Sequence, residues 1–166
     1  LGQGLPGGAA AAARAALTGA GPRTMTAALL LDTHIALWLD SGDPRLRPAT
    51  IQLIDELRQA GGVVYLSAVS AWEIALLVDT GRIDLDLPVE AWLARFVAQP
   101  GVEGLPLSLG AAAAAYRLHA FPHRDPGDRL LMAAAIEIGC PLVSYDTRIT
   151  QFARRHGSQL RLAVSA

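Results

Sequence analysis

Four carboxylates stand where an alternating strand-helix chain would gather them: Asp32, Glu73, Asp128 and Asp146. Asp32 follows the apolar run Ala27 to Leu31, and the other three occupy comparable strand-end or helix-start positions. In an open α/β sheet those positions share one edge, the carboxyl ends of the strands, where ligands bind. Ionised carboxylates brought within a few ångströms repel one another and hold protons more tightly unless a cation neutralises them. Oxygen donors suit Mg²⁺ or Mn²⁺, which keep waters for a substrate phosphate. No Cys/His spacing suggests zinc. A divalent ion held in this way polarises a phosphoryl oxygen and activates water at neutral pH, so the residues alone point to metal-dependent phosphoryl hydrolysis.

Each acid taken singly also has a structural account. Asp32 and Asp146 sit where a helix N-cap would accept backbone N–H bonds. Glu73 lies three residues after Ser70, the spacing of a capping box. Asp125-Pro126 reads as an N-cap followed by proline at the first helical position, and Asp128 then falls in the first turn, where the helix dipole favours an anion. Capping and convergence are compatible, because one strand-helix grammar produces both.

The elements that must position these residues follow from the pattern. An unalternating apolar strand at 27–31 implies a sheet covered on both faces. A short helix follows over 33–39, closed by Asp40-Ser41-Gly42-Asp43-Pro44, and an amphipathic helix spans about 48–60 before Gly61-Gly62. Strand 63–66 is β-branched and aromatic; Ser67 and Ser70 lead into a helix from Ala71 to about Thr80. Further helices are read over 88–98, from the Ser108 cap to His119, over 128–138 and over 147–156. Strands are read at 102–107, 141–144 and 160–163. This alternation predicts a three-layer α/β/α fold with a mainly parallel central sheet of four to five strands.

The totals narrow the chemistry. A length of 166 residues fits one domain with a sizeable core. A formal charge of −1 gives no global attraction to nucleic acid, so a polyanion must be held by a local patch. All 14 basic residues are arginine, which removes P-loop and Schiff-base chemistry, both of which need lysine. The single cysteine, Cys140, reads as a packed thiol. No apolar run approaches the roughly 18–20 residues of a membrane-spanning helix. Residues 1–24 are Gly/Ala/Pro-rich, with Arg14 and Arg23 their only charges. They read as a disordered N-terminal extension, a cloning remnant or mis-assigned start before Met25.

Four ordered motifs carry a family likeness: Leu-Leu-Leu-Asp-Thr-His (29–34), Ser-Ala-Val-Ser-Ala-Trp-Glu-Ile (67–74), His-Arg-Asp-Pro-Gly-Asp-Arg-Leu-Leu-Met-Ala-Ala-Ala (123–135) and Leu-Val-Ser-Tyr-Asp (142–146). Over 25–166 the chain resembles the PIN domain, and more narrowly the VapC-type toxins of bacterial toxin-antitoxin pairs. The resemblance implies a PIN-like fold and a cytoplasmic Mg²⁺- or Mn²⁺-dependent endoribonuclease. By the same likeness Asp32, Glu73, Asp128 and Asp146 are the catalytic, metal-binding acids. It further implies a homodimer and a cognate antitoxin whose C-terminal segment wraps the toxin. Around the acids, Thr33 and Ser70 are candidates to orient a carboxylate or a metal-bound water, with capping the alternative. Asp125 is assigned as a cap or outer support for Asp128. Arg129 is a candidate phosphate contact, or else a surface ion pair. His34 reads as packed or half-buried rather than as a general base, since metal-activated water needs no histidine. Leu37, Trp38 and Leu39 are read as exposed apolar surface for a partner. Two rivals remain at this stage: a PIN-like module that binds RNA or protein without cutting, and a metal-dependent phosphatase acting on small phosphate esters.

Overall fold

The strand that opens the fold, β1 (Ala28–Leu31), is apolar throughout because both of its faces are covered. Leu29 and Leu31 join one buried cluster and Leu30 the other, the period-two alternation of a strand between two helical layers. The computed structural model describes residues 28–119, 121 and 125–164. The 1–24 extension, Ala27 of the opening strand, and Pro122, His123 and Arg124 of the loop before Asp125 lie outside the described residues.

After β1 come α1 (Thr33–Ser41), α2 (Pro48–Gln59), β2 (Val63–Ser67), α3 (Ala68–Asp79), α4 (Val89–Val97) and β3 (Val102–Leu105). They are followed by α5 (Leu109–Tyr116), α6 (Pro126–Ile138), β4 (Leu142–Val143), α7 (Thr147–Arg155) and β5 (Leu162–Val164). The five strands pair in parallel in the order β3-β2-β1-β4-β5. Helices α1 to α4 supply Ile35, Ile54, Ile74, Trp92 and Phe96 to the cluster around Leu29 and Leu31. Helices α5 to α7 supply Ala111, Ala115, Met132, Ile149 and Phe152 to the cluster around Leu30 and Leu142. The chain is thus a three-layer α/β/α sandwich with a five-stranded parallel sheet, as the alternation of elements predicts.

Element ends differ from the sequence reading in instructive places. Helix α3 begins at Ala68 rather than Ala71, because Ser67 is its cap: its Oγ accepts from Val69 N at 3.1 Å. Ser70 therefore lies inside the helix, and the Ser70–Glu73 capping box does not form. Strand β3 stops at Leu105 rather than 107, where Pro106 offers no N–H to a neighbour. Helix α5 ends at Tyr116 rather than His119. Helix α6 begins at Pro126 rather than Asp128, on the Asp125 cap that the structural account of the acids supplied: Asp125 Oδ1 accepts from Gly127 N at 2.9 Å and Pro126 lies in the first turn. Gly139, at φ 64°, ends α6 in the left-handed conformation that a side chain would strain.

Candidate active site

The growth of the sheet reverses at β1, with β2 and β3 on one side and β4 and β5 on the other. That reversal leaves a crevice at the carboxyl ends of β1 and β4. Asp32 occupies it. Its backbone N–H extends the ladder to Val143 O at 3.0 Å. Although Asp32 stands at the N-cap position of α1, its carboxylate makes no cap bond; Oδ2 instead accepts from Ser144 Oγ at 2.5 Å. The fully buried Ser144 accepts in turn from Asp146 N at 3.1 Å. One hydroxyl thus couples the end of β1 to the start of α7. Asp146 does cap α7, its Oδ1 accepting from Arg148 N at 2.7 Å and Ile149 N at 3.2 Å.

Glu73 comes from the opposite flank, on α3. Its Oε2 accepts from Thr33 Oγ1 at 2.6 Å, and Thr33 is fully buried. The hydroxyl of the first α1 residue therefore fixes an acid forty residues away. Asp128 sits half-buried in the first turn of α6, one turn on from the Asp125 cap.

The electrostatics bind these acids into one group. Burial raises the proton affinity of Asp32, partly offset by the Ser144 hydrogen bond and by His34, and raised further by Glu73 and Asp146. Asp128 is pushed up to about 6, first by burial and then by the charges of Asp125, Asp146, Asp32 and Glu73. Each acid on the sequence-predicted set thus stands close enough to Asp32 or Asp128 to oppose its ionisation.

Among the described residues, no group of three or more His, Cys, Asp or Glu side chains forms a ready-made metal cage. The acids are linked by the reach of their charges rather than by a closed ligand shell. That suits Mg²⁺, which dehydrates reluctantly, keeps several waters and takes only one or two carboxylates alongside substrate phosphate. The donor set is all oxygen, and its charges destabilise one another. On both counts the residues fit a hard divalent cation.

The neighbours meet other fates. Arg129 directs its guanidinium at backbone carbonyls, Leu118 O at 3.0 Å and Phe121 O at 2.9 Å, so that it ties the α5–α6 connection. Ser70 is fully buried, and its Oγ has no hydrogen-bond partner among the described residues. It lies one turn before Glu73 on the same side of α3. His34 is exposed rather than packed. Leu37, Trp38 and Leu39 are half-buried against the core; the large exposed apolar side chains include Trp72, Leu76, Leu109 and Tyr116 instead. Sequence reasoning missed Ser144 as the partner of Asp32. Its signal was present: a hydroxyl at a strand end, two residues before a helix cap.

A family model described as the PIN domain matches residues 29–155. Ribonuclease VapC22 of Mycobacterium tuberculosis (strain ATCC 25618 / H37Rv) is 36% identical over 121 residues, covering 73% of this chain and 88% of the relative. Among solved structures, VapBC2 from Rickettsia felis bound to a DNA fragment from its promoter aligns with a TM-score of 0.60 at 16% identity, over 84% of this chain and 98% of that one. FitAB bound to an IR36 DNA fragment aligns with a TM-score of 0.55 at 19% identity, over 82% and 94%. At these identities the structural likenesses speak for the fold.

Proposed function

We propose, for a chain that belongs to the PIN domain family, that it is a divalent-metal-dependent endoribonuclease and the toxin of a toxin-antitoxin pair acting in the cytoplasm. The observation that carries this reading is that Asp32, at the switch point of the sheet, feels the charges of Glu73 and Asp146, and that Asp128 feels those of all three. Similarity to a relative named as a ribonuclease supports RNA as the substrate. Asp32, Glu73 and Asp128 would hold Mg²⁺ or Mn²⁺, with Asp146 contributing from the α7 cap. The ion, when bound, supplies Lewis acidity toward a phosphodiester and lowers the pKa of water. The protein's own part is to aim the carboxylates and to offset some of the cost that burial places on their ionisation. Ser144 donates to Asp32 and opposes its protonation, while Thr33 fixes the rotamer of Glu73.

An antitoxin partner is proposed on the same footing, since the structural neighbours include VapBC and FitAB assemblies. A homodimer is supported by exposed apolar side chains on two helices that both contact α6: Trp72 and Leu76 on α3, Leu109 and Tyr116 on α5. The deciding experiment incubates the purified chain with total RNA and Mn²⁺, with and without EDTA, beside Asp32→Asn. RNA is expected to be cut only by the unsubstituted protein and only without chelator. Cutting that persists in EDTA, or at full rate in the variant, overturns the reading.

A further inference from the structure

Beside the acids runs a ridge of rings that the hydrolytic chemistry leaves unused. His34 lies two residues past Asp32, in the first turn of α1; its ring stands 5.9 Å from that of Trp38. The Trp38 ring lies 6.0 Å from that of Tyr145, the residue between Ser144 and Asp146. Two guanidinium groups overlie the ridge, Arg45 at 4.9 Å from the Trp38 ring centroid and Arg47 at 4.7 Å from that of Tyr145.

The ridge is held in place. Tyr145 Oη exchanges a 2.6 Å hydrogen bond with the buried Thr50 and accepts from Arg47 N at 3.1 Å. Arg45 is fixed by Asp43 through Nε at 2.9 Å and Nη2 at 2.6 Å. Trp38 and Tyr145 are half-buried, whereas His34, Arg45 and Arg47 are exposed. Flat exposed groups on a rigid aromatic base, with cationic planes among them, are what an unpaired nucleobase stacks on. The cations also balance phosphate charge that the neighbouring carboxylates would repel. A partner protein helix is less well served, because the ridge presents charge and ring planes where a helix would seat aliphatic side chains.

We propose that the His34–Trp38–Tyr145 ridge, overlaid by Arg45 and Arg47, is a subsite that stacks an unpaired base of single-stranded RNA and so presents the adjoining phosphodiester to the acid cluster. This rests on the ribonuclease reading. It adds a surface to it that selects unpaired RNA.

The test uses the full chain carrying His34→Ala or His34→Phe and a short unstructured oligoribonucleotide, intact or with one abasic position scanned along it. Binding is read by fluorescence anisotropy in chelator and cleavage in Mn²⁺. His34→Ala is expected to weaken binding and raise KM by on the order of tenfold, and His34→Phe to restore both. One abasic position is expected to reproduce the loss in the unsubstituted protein and to add little in His34→Ala. Failure of Phe to rescue assigns His34 to the electrostatics of Asp32 and overturns the stacking subsite. Unchanged RNA binding by His34→Ala with normal cutting overturns it too, and leaves the ridge as a protein contact. RNA left intact by the unsubstituted protein overturns the ribonuclease reading and the subsite with it.

Discussion

Asp128 is where function and stability oppose each other within one residue. Its carboxyl titrates near 6 in the folded chain against an ordinary value of 3.8, so between those values the folded state holds the proton that the unfolded state has released. By linkage, the stability Asp128 contributes is fully present below about pH 3.8 and is lost as the pH rises through about 6. Asp128→Asn, which removes the charge but keeps the shape, is therefore expected to raise Tm in EDTA at about pH 7.5 and to leave it nearly unchanged at about pH 4. Added Mn²⁺ should invert the order, stabilising the parent protein and not the variant. Differential scanning calorimetry at the two pH values reads both effects; a lower Tm for the variant in EDTA at the higher pH contradicts them. Ser144→Ala acts on the neighbouring acid. Without its donor, Asp32 is expected to take up a proton more readily, and Mn²⁺ affinity measured by calorimetric titration to fall by about tenfold or more. Equal affinity in the two proteins would show that the hydroxyl serves packing alone.

At the scale of the element, the question is whether a cap can also be a ligand. Asp146 bonds two α7 amides through Oδ1. Asparagine caps about as well as aspartate, whereas alanine costs about 1 kcal/mol. Asp146→Asn is accordingly expected to keep the thermal stability of the parent while losing cation affinity, and Asp146→Ala to lose both. An Asn variant that cleaves RNA at the parent rate would reduce Asp146 to a cap. The same element shows what the sequence could and could not disclose. Local grammar was legible: the apolar run of β1, the Gly61-Gly62 stop after α2 and the Asp125-Pro126 cap of α6 are set by residues within a few positions of each other. The start of α3 was misread because two serines three residues apart both suit a cap, and only the ladder of β2 decides which one ends the strand. The partnerships that aim the acids were not legible. Thr33–Glu73 and Ser144–Asp32 join residues 40 and 112 positions apart. The carbonyl contacts of Arg129 were hidden for the same reason, since its acceptors belong to a connection whose path no short-range pattern fixes.

For the whole molecule, the sheet order carries the site, and the charge budget sets how RNA is met. Placing β1 between β2 and β4 sets Asp32 at the switch point of the sheet, within electrostatic reach of acids from distant parts of the chain, while the total charge stays at −1. A protein so nearly neutral has little long-range pull on a polyanion. Among the described residues, Arg45 and Arg47 are the cations that overlie the rings beside the site, and Arg45 also pairs with Asp43, whose carboxyl it holds down to about 2. One or two phosphate contacts by Arg45 and Arg47 give a shallow salt response, since the logarithm of the binding constant falls with the logarithm of salt by about 0.7 per phosphate on a single strand. The expected slope for the full chain on a short unpaired RNA, measured by anisotropy in chelator, lies between about −0.7 and about −1.4. Arg47→Ala should flatten it by about 0.7, whereas His34→Ala should lower affinity at every salt concentration and leave the slope alone. A slope steeper than about −3 would mean that a broad basic surface, rather than the ridge beside the acids, gathers the RNA.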